Sequence, residues 1–246
     1  MKKKLIYTLC MLLSVMSLSM AASRGKLVIG TNATHPPFTY EEKGKITGHD
    51  VELLKKALTN LGYEVEMANM KFDGLIPALQ QKKINVIACA LSVTEERAKK
   101  VLFTDTYYSG GTQLGVLKSN NTIKDWADLK GKKVGVELGT IQAKIAHDNS
   151  EKEGYSYTEY DSEEIFVALK TGKVDATISD TAIAGYLFNK SKVVNAKLVG
   201  KPLGERGMAY AVNLEDKALA DEINAELAKM RKNGFYKKNY NRFMGK

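Results

Sequence analysis

The sequence predicts an α/β protein of two lobes, each a mostly parallel sheet flanked by helices. Strand-like and helix-like segments alternate along the first half, and after "LFTDTYYSGGTQLGVLK" the alternation starts again. The halves also share a local logic. "LQQKKINVIACALSVTEER" and "LKTGKVDATISDTAIA" each run from a helix end through a basic turn into a buried strand. Each then meets polar residues where the next helix starts.

The chain opens with "MKKKLIYTLCMLLSVMSLSMAAS". Lysines, an apolar run and small residues have the form of a secretory signal peptide over residues 1–21, cut after Ala21 with Ser19 and Ala21 as the small residues. The run is too short and poorly flanked for a membrane span. Cys10 lies inside it, too early for lipid attachment, so a soluble exported protein is expected.

"KLVIGT" reads as a strand and "NATHPPFTY" as a polar loop. "GHDVELLKKALTNLG" sets Val51, Leu53, Leu54, Ala57, Leu58 and Leu61 on one helical face and stops at Gly62. "YEVEMA" alternates as a strand, "FDGLIPALQQKK" is a short helix and "INVIACA" is a buried strand. In the second half, "TIKDWADLKGKKVGVELGTIQAKIA" gives a short helix, a strand and a helix. "YTEYDSEEIFVALKTGKVDATISDTAIAGYLF" gives helix, strand and helix. "GMAYAV" is a strand, and "EDKALADEINAELAKMRKNGFYKKNYNRFM" closes with one long and one short helix.

The formal charge of +9 over 246 residues includes Lys2, Lys3 and Lys4, which leaves +6 on the mature chain. The lysines are scattered ("KKINV", "RAKK", "KGKK") rather than massed with aromatic residues. That pattern argues for a solvated basic surface and against nucleic-acid binding. Cys89 is the only cysteine beyond the signal peptide, so no intramolecular disulfide forms and the fold rests on its core. His35, His49 and His147 lack metal-ligand spacing, and no glycine-rich phosphate loop is present, so neither metal nor cofactor is expected.

"ACALSVTEER" raises the functional question, because a buried run ends in Ser92, Thr94 and Arg97. A strand end meeting a helix start leaves backbone N–H groups free for an anion, and a guanidinium matches a carboxylate with two prongs. The stretch equally describes a capped helix whose Arg97 is solvated or pairs with Glu95 or Glu96, and taken alone that is the simpler account. Ligands in open α/β sheets bind outside the strand carboxyl ends. Two facing lobes would set Ser92, Thr94 and Arg97 opposite Gly139, Thr140 and Asp180.

Taken in order, "VIGTNATHPPF", "GHDVELLKKAL", "FDGLIPALQQKKINVIACALSVTEER", "FTDTYY", "KDWADLKGKKVGV", "ELGTIQ", "KVDATISD" and "NGFYKKNY" make the mature chain resemble the solute-binding proteins of polar amino-acid ABC transporters, bacterial solute-binding protein family 3. The resemblance implies the type II periplasmic-binding-protein fold. Residues 25–109 and 208–246 would form one lobe and 113–204 the other, with two crossover strands as hinge near "YYSGG" and "LGERG". It implies a monomeric periplasmic protein, not an enzyme, that captures an L-amino acid with a polar or cationic side chain and delivers it to a membrane permease.

By the same resemblance, Arg97 grips the ligand α-carboxylate, helped by Ser92 and backbone near Ala90. Thr140, with Gly139 before it, donates to that carboxylate from the second lobe, and Asp180 accepts the α-ammonium. Asn32, His35, Phe72 and Glu137 align with the side-chain pocket. Each has a plainer reading too: Thr140 and Asp180 as helix caps, Phe72 as core, Glu137 as a strand-end acid paired with a surface lysine. His35 stands where relatives carry a stacking aromatic ring, and Cys89 reads as an inert buried thiol. The alternative function on this fold is a cyclohexadienyl (arogenate/prephenate) dehydratase, with Glu137 or His35 as the acid.

Overall fold

The computed structural model describes residues 24–190 and 194–245; the expected signal peptide lies outside the described residues. Strand β1 (Lys26–Thr31) starts exposed and ends fully buried. The following segment, expected to be a loop, forms a small antiparallel sheet of β2 (Thr34–His35), β3 (Thr39–Glu42) and β4 (Lys45–Thr47). Its strands are two to four residues long and Pro36 and Pro37 interrupt them, which hides the pairing from a periodicity reading. Helix α1 (His49–Asn60) buries Val51, Leu53, Leu54, Ala57 and Leu58 on one face, as its spacing predicts.

Next come β5 (Glu64–Asn69), α2 (Leu75–Gln80), β6 (Val86–Ile87), the single turn α3 (Glu95–Ala98) and β7 (Leu102–Phe103). The second half brings β8 (Tyr108–Leu117), β9 (Lys133–Glu137), α4 (Ile141–Glu153), β10 (Ser156–Tyr160), α5 (Glu164–Lys170), β11 (Ala176–Asp180) and α6 (Thr181–Asn189). Then follow β12 (Ala196–Met208), β13 (Ala211–Val212), α7 (Lys217–Lys232) and α8 (Phe235–Met244). Strand β10, "SYTEY", escaped the sequence reading because only two of its five residues are even partly buried and no apolar alternation marks it. The helix expected over "TIKDWADLK" is a 3-10 turn at Trp126–Leu129.

Two five-stranded sheets result, ordered β5-β1-β6-β13-β7 and β10-β9-β11-β8-β12. In each, three strands run parallel and two join antiparallel. Helices α7 and α8 return to pack on α1, where Ile223, Leu227 and Met230 share one core with Leu53, Leu54 and Leu58. Buried residues from β8, β9, β11 and α4 fill a separate core around the second sheet.

The chain passes between the sheets twice, and the two passages lie side by side. Strands β8 and β12 pair antiparallel from Met208 opposite Tyr108 to Ala196 opposite Leu117, with register shifts around Leu203. A Cβ on Gly207 would come within 2.3 Å of Thr106 Cγ2, so glycine there permits close approach of the chains. The strand carboxyl ends of both sheets face one another across the cleft, and this places the site.

Candidate ligand-binding site

Arg97 belongs to a helix of only one turn, capped by Thr94 Oγ1, which accepts from Arg97 N at 3.1 Å. So short a helix offers little dipole, and the guanidinium is positioned by direct bonds instead. Nη1 donates to the Ser92 carbonyl at 2.8 Å, and Nη2 crosses the cleft to the Gly139 carbonyl at 3.1 Å. The group lies 5.4 Å from the Phe72 ring centroid. Neither Glu95 nor Glu96 pairs with it; among the described residues Arg97 has no carboxylate partner. Burial lowers its pKa to about 10.

The loop carrying Ala90 and Ser92 is fixed by a residue the sequence reading passed over. Asp50, fully buried at the start of α1, accepts from Ala90 N at 2.6 Å and from the Tyr107 hydroxyl. Ala90 has φ of 47°, a left-handed conformation rare for a residue with a side chain, and this carboxylate holds it there. Burial raises the Asp50 pKa to about 7 despite those two donors.

On the opposite lobe, Asp180 ends β11 and caps α6. Its Oδ1 accepts from Ala182 N at 2.8 Å and Ile183 N at 3.1 Å. Among the described residues nothing donates to Oδ2 and no cation pairs with the carboxylate, and burial raises its pKa to about 6. Thr140 caps α4: its hydroxyl accepts from Ala143 N at 3.2 Å and donates to the Glu137 carbonyl at 2.6 Å. Its one hydroxyl proton is therefore committed to the Glu137 carbonyl.

The distal end of the site joins the lobes. His35 Nε2 lies 2.9 Å from both oxygens of Glu137, and the Ser162 hydroxyl donates to Oε1. Cys89 Sγ lies 3.4 Å from His35 Nδ1, and Asn32 Nδ2 donates to Ser162 Oγ at 3.2 Å. Burial would lower the His35 pKa, but Glu137 and Cys89 hold it well above its ordinary value. Burial likewise pushes Glu137 upward, and His35 and Ser162 overcome it to hold the acid below its usual range. Glu137 is thus paired with a histidine of the other lobe, not with a surface lysine. His35 meets Phe72 edge-on, with ring centroids 5.7 Å apart.

Arg97, Asp180, Ser92, Thr140, Ala90, Glu137, His35 and Phe72 all line one cavity between the lobes. Asn32 and Gly139 do not. Asn32 lines a neighbouring groove and donates to Ser162, while Gly139 lines another groove and gives its carbonyl to Arg97. Ser162 and Gln142 also line the cavity without having been singled out. Ser162 follows the end of β10, so the strand-end rule would have found it had that strand been recognised. Among the described residues no group of three or more His, Cys, Asp or Glu side chains is placed to hold a metal, and no helix is long and apolar enough to cross a membrane.

Two α/β lobes, joined by paired crossing strands and meeting over a charged cavity at their strand ends, define a two-lobed binding-protein fold. The chain belongs to the bacterial extracellular solute-binding proteins, family 3, whose family model matches residues 27–246. It is 34% identical over 215 residues to the arginine-binding extracellular protein ArtP of Bacillus subtilis (strain 168), covering 87% of this chain and 84% of that protein. An ancestral arginine-binding protein bound to arginine superposes with a TM-score of 0.85 at 38% identity, over 91% of this chain and all of that one. The ancestral amino acid-binding protein AncCDT-1, a precursor of cyclohexadienyl dehydratase, superposes with a TM-score of 0.82 at 32% identity, over 89% of this chain and 96% of that one.

Proposed function

We propose that the protein captures an L-amino acid with a polar or cationic side chain between its lobes and delivers it to an ABC transporter permease in the membrane. One observation carries the reading. A guanidinium on one lobe and a carboxylate on the other face a single cavity, each partly buried and neither in an ion pair among the described residues. Removing an ion from water costs several kcal/mol unless an opposite charge meets it. A zwitterion whose α-carboxylate meets Arg97 and whose α-ammonium meets Asp180 supplies both partners at once. Because the two groups sit on different lobes, only the closed arrangement completes both pairs, so the ligand favours closure by its differential contacts.

The location of relatives supports a place outside the cytoplasmic membrane, in keeping with the expected signal peptide. The family model begins just after that segment, at residue 27. Arginine as ligand of ArtP and of the ancestral protein supports a cationic side chain, with Glu137 at the distal end to receive it.

The similarity to a dehydratase precursor gives the enzymatic alternative a concrete form. Dehydration needs a pocket acid that is protonated yet able to release its proton near neutrality. Glu137 is held ionised by His35 and Ser162, and His35 is held protonated by Glu137, so neither is poised for that task. A thermal-shift screen of the twenty amino acids tests the main reading, since a ligand that binds only the folded state raises its melting temperature. A shift from one or a few amino acids is expected. No shift from any of them, with turnover of prephenate or arogenate, would replace this reading with the enzymatic one.

A further inference from the structure

We propose that His35 is the built-in counter-ion of Glu137, and that an amino acid with a cationic side chain binds at Glu137 by expelling a proton from the His35 imidazolium. This rests on the amino-acid-binding reading and names the feature of the distal pocket that reads side-chain charge.

Glu137 lines the same cavity as Arg97 and Asp180, and both its oxygens lie 2.9 Å from His35 Nε2. The other ring nitrogen faces Cys89 Sγ at 3.4 Å. That sulfur accepts from Asn32 N at 3.3 Å, and its own hydrogen has the Asn32 carbonyl as acceptor at 3.8 Å. With the thiol hydrogen on the Asn32 carbonyl, both imidazole nitrogens face acceptors, the arrangement that a doubly protonated ring requires. Burial opposes the charge, and Glu137 with Cys89 outweighs it.

The other charged groups around the ring are Asp50 and Asp180, carboxylates that favour its charged form, and Arg97, a cation that lines the same cavity beside Phe72 and opposes it. Phe72 presents an uncharged edge, and Ser162 Oγ lies 3.5 Å from Nε2. At the outer edge Lys71 and Asp161 neutralise one another at 2.6 Å.

Glu137 and the protonated His35 are together neutral. A ligand guanidinium or ammonium brought to Glu137 sets a second cation beside one carboxylate in a buried site, where like charges repel strongly. Loss of the Nδ1 proton to solvent relieves this. No side chain needs to leave its place: the Cys89 thiol turns to donate to Nδ1 across the same contact, and Nε2–H keeps its bond to Glu137. A ligand with a neutral side chain leaves the pair charged and releases nothing from it.

The test is calorimetric titration with L-arginine and with L-glutamine at pH 7, in phosphate and in Tris, whose ionisation enthalpies differ widely. The slope of observed enthalpy against buffer ionisation enthalpy counts the protons released. Release approaching one proton for arginine and close to none for glutamine is expected. The arginine value should fall to that of glutamine in His35→Gln and in Glu137→Gln. In the unaltered protein it should vanish once the pH is raised above the range in which the imidazole is protonated.

Asp50, at about 7, and Asp180, at about 6, titrate near the pH of the experiment, so release that survives in either variant would assign the proton to them and overturn the proposal. Equal release for both amino acids, or glutamine binding without arginine, overturns it as well. No heat from either amino acid also overturns it, and the screen of twenty then decides separately whether the amino-acid-binding reading falls too.

Discussion

Arg97 and Asp180 face the same cavity as His35 and Glu137, yet the two sets of charges are built in opposite ways. Arg97 and Asp180 sit on different lobes, and each is held by neutral backbone groups rather than by an opposite charge. His35 and Glu137 also sit on different lobes, but they hold each other, at 2.9 Å. Charges without partners, held rigidly by the backbone, are built for something that arrives from outside. Charges paired across a cleft tie its two walls together and resist rearrangement. On the proposed function, the first set would define what every ligand must carry, and the second what its side chain must contend with.

The sharpest way to break that contrast is to remove one unpartnered charge. Arg97→Ala should weaken amino-acid binding by about 3–5 kcal/mol, the cost of stranding a buried opposite charge, while leaving the unfolding midpoint nearly unchanged. Asp180→Asn should do the same, because asparagine still caps α6. Calorimetry showing near-native affinity in either variant would remove that residue from the site.

A smaller effect is expected at the support beneath the clamp. Asp50→Ala leaves Ala90 N–H and the Tyr107 hydroxyl without their acceptor, and should cost about 2–3 kcal/mol of stability by denaturant titration. Asp50→Asn keeps an acceptor and removes the buried charge. The Asp50 pKa is about 7 in the fold against an ordinary value of 3.8, so between those values the unfolded chain loses its proton first. Stability should therefore decline as pH rises from about 4 to about 7 through this group, and Asp50→Asn should flatten that decline.

Binding itself should respond to acid. The Asp180 pKa is raised to about 6, and the ligand ammonium needs the ionised form, so affinity for an amino acid with a neutral side chain should fall about tenfold per pH unit below about 6. Asp180→Asn should abolish that dependence. The smallest effect belongs to the paired end. Ser162→Ala removes one donor to Glu137 and should weaken closure by about 0.5–1.5 kcal/mol, seen as a several-fold loss of affinity. A loss as large as that of Arg97→Ala would erase the distinction between the two sets.

Much of this arrangement was legible in the chain. Apolar spacing marked α1, and strand–helix alternation marked the parallel strands of both sheets. The rule that ligands gather at strand carboxyl ends, with the family resemblance, drew attention to Arg97, Ser92, Thr140 and Asp180, which the fold brings to one cavity. What escaped was pairing over long separations. His35 and Glu137 are 102 residues apart and were read as two independent contacts to a ligand, because nothing local in "NATHPPF" or "VGVELGT" ties one to the other. The hold of Asp50 on Ala90, 40 residues away, was invisible for the same reason. Thr140 shows a subtler limit: its position was read from its neighbours, but the direction of its hydroxyl proton depends on the backbone turn at Glu137.

The most direct measurement takes the amino acid that gives the largest thermal shift and titrates it beside its methyl ester and its Nα-acetyl derivative. The ester lacks the anion that Arg97 would meet, and the acetyl derivative lacks the cation that Asp180 would meet. Loss of binding by about 100-fold or more for each derivative is the result predicted here, in proportion to the cost of an unmatched buried charge. Either derivative binding as tightly as its parent would contradict it.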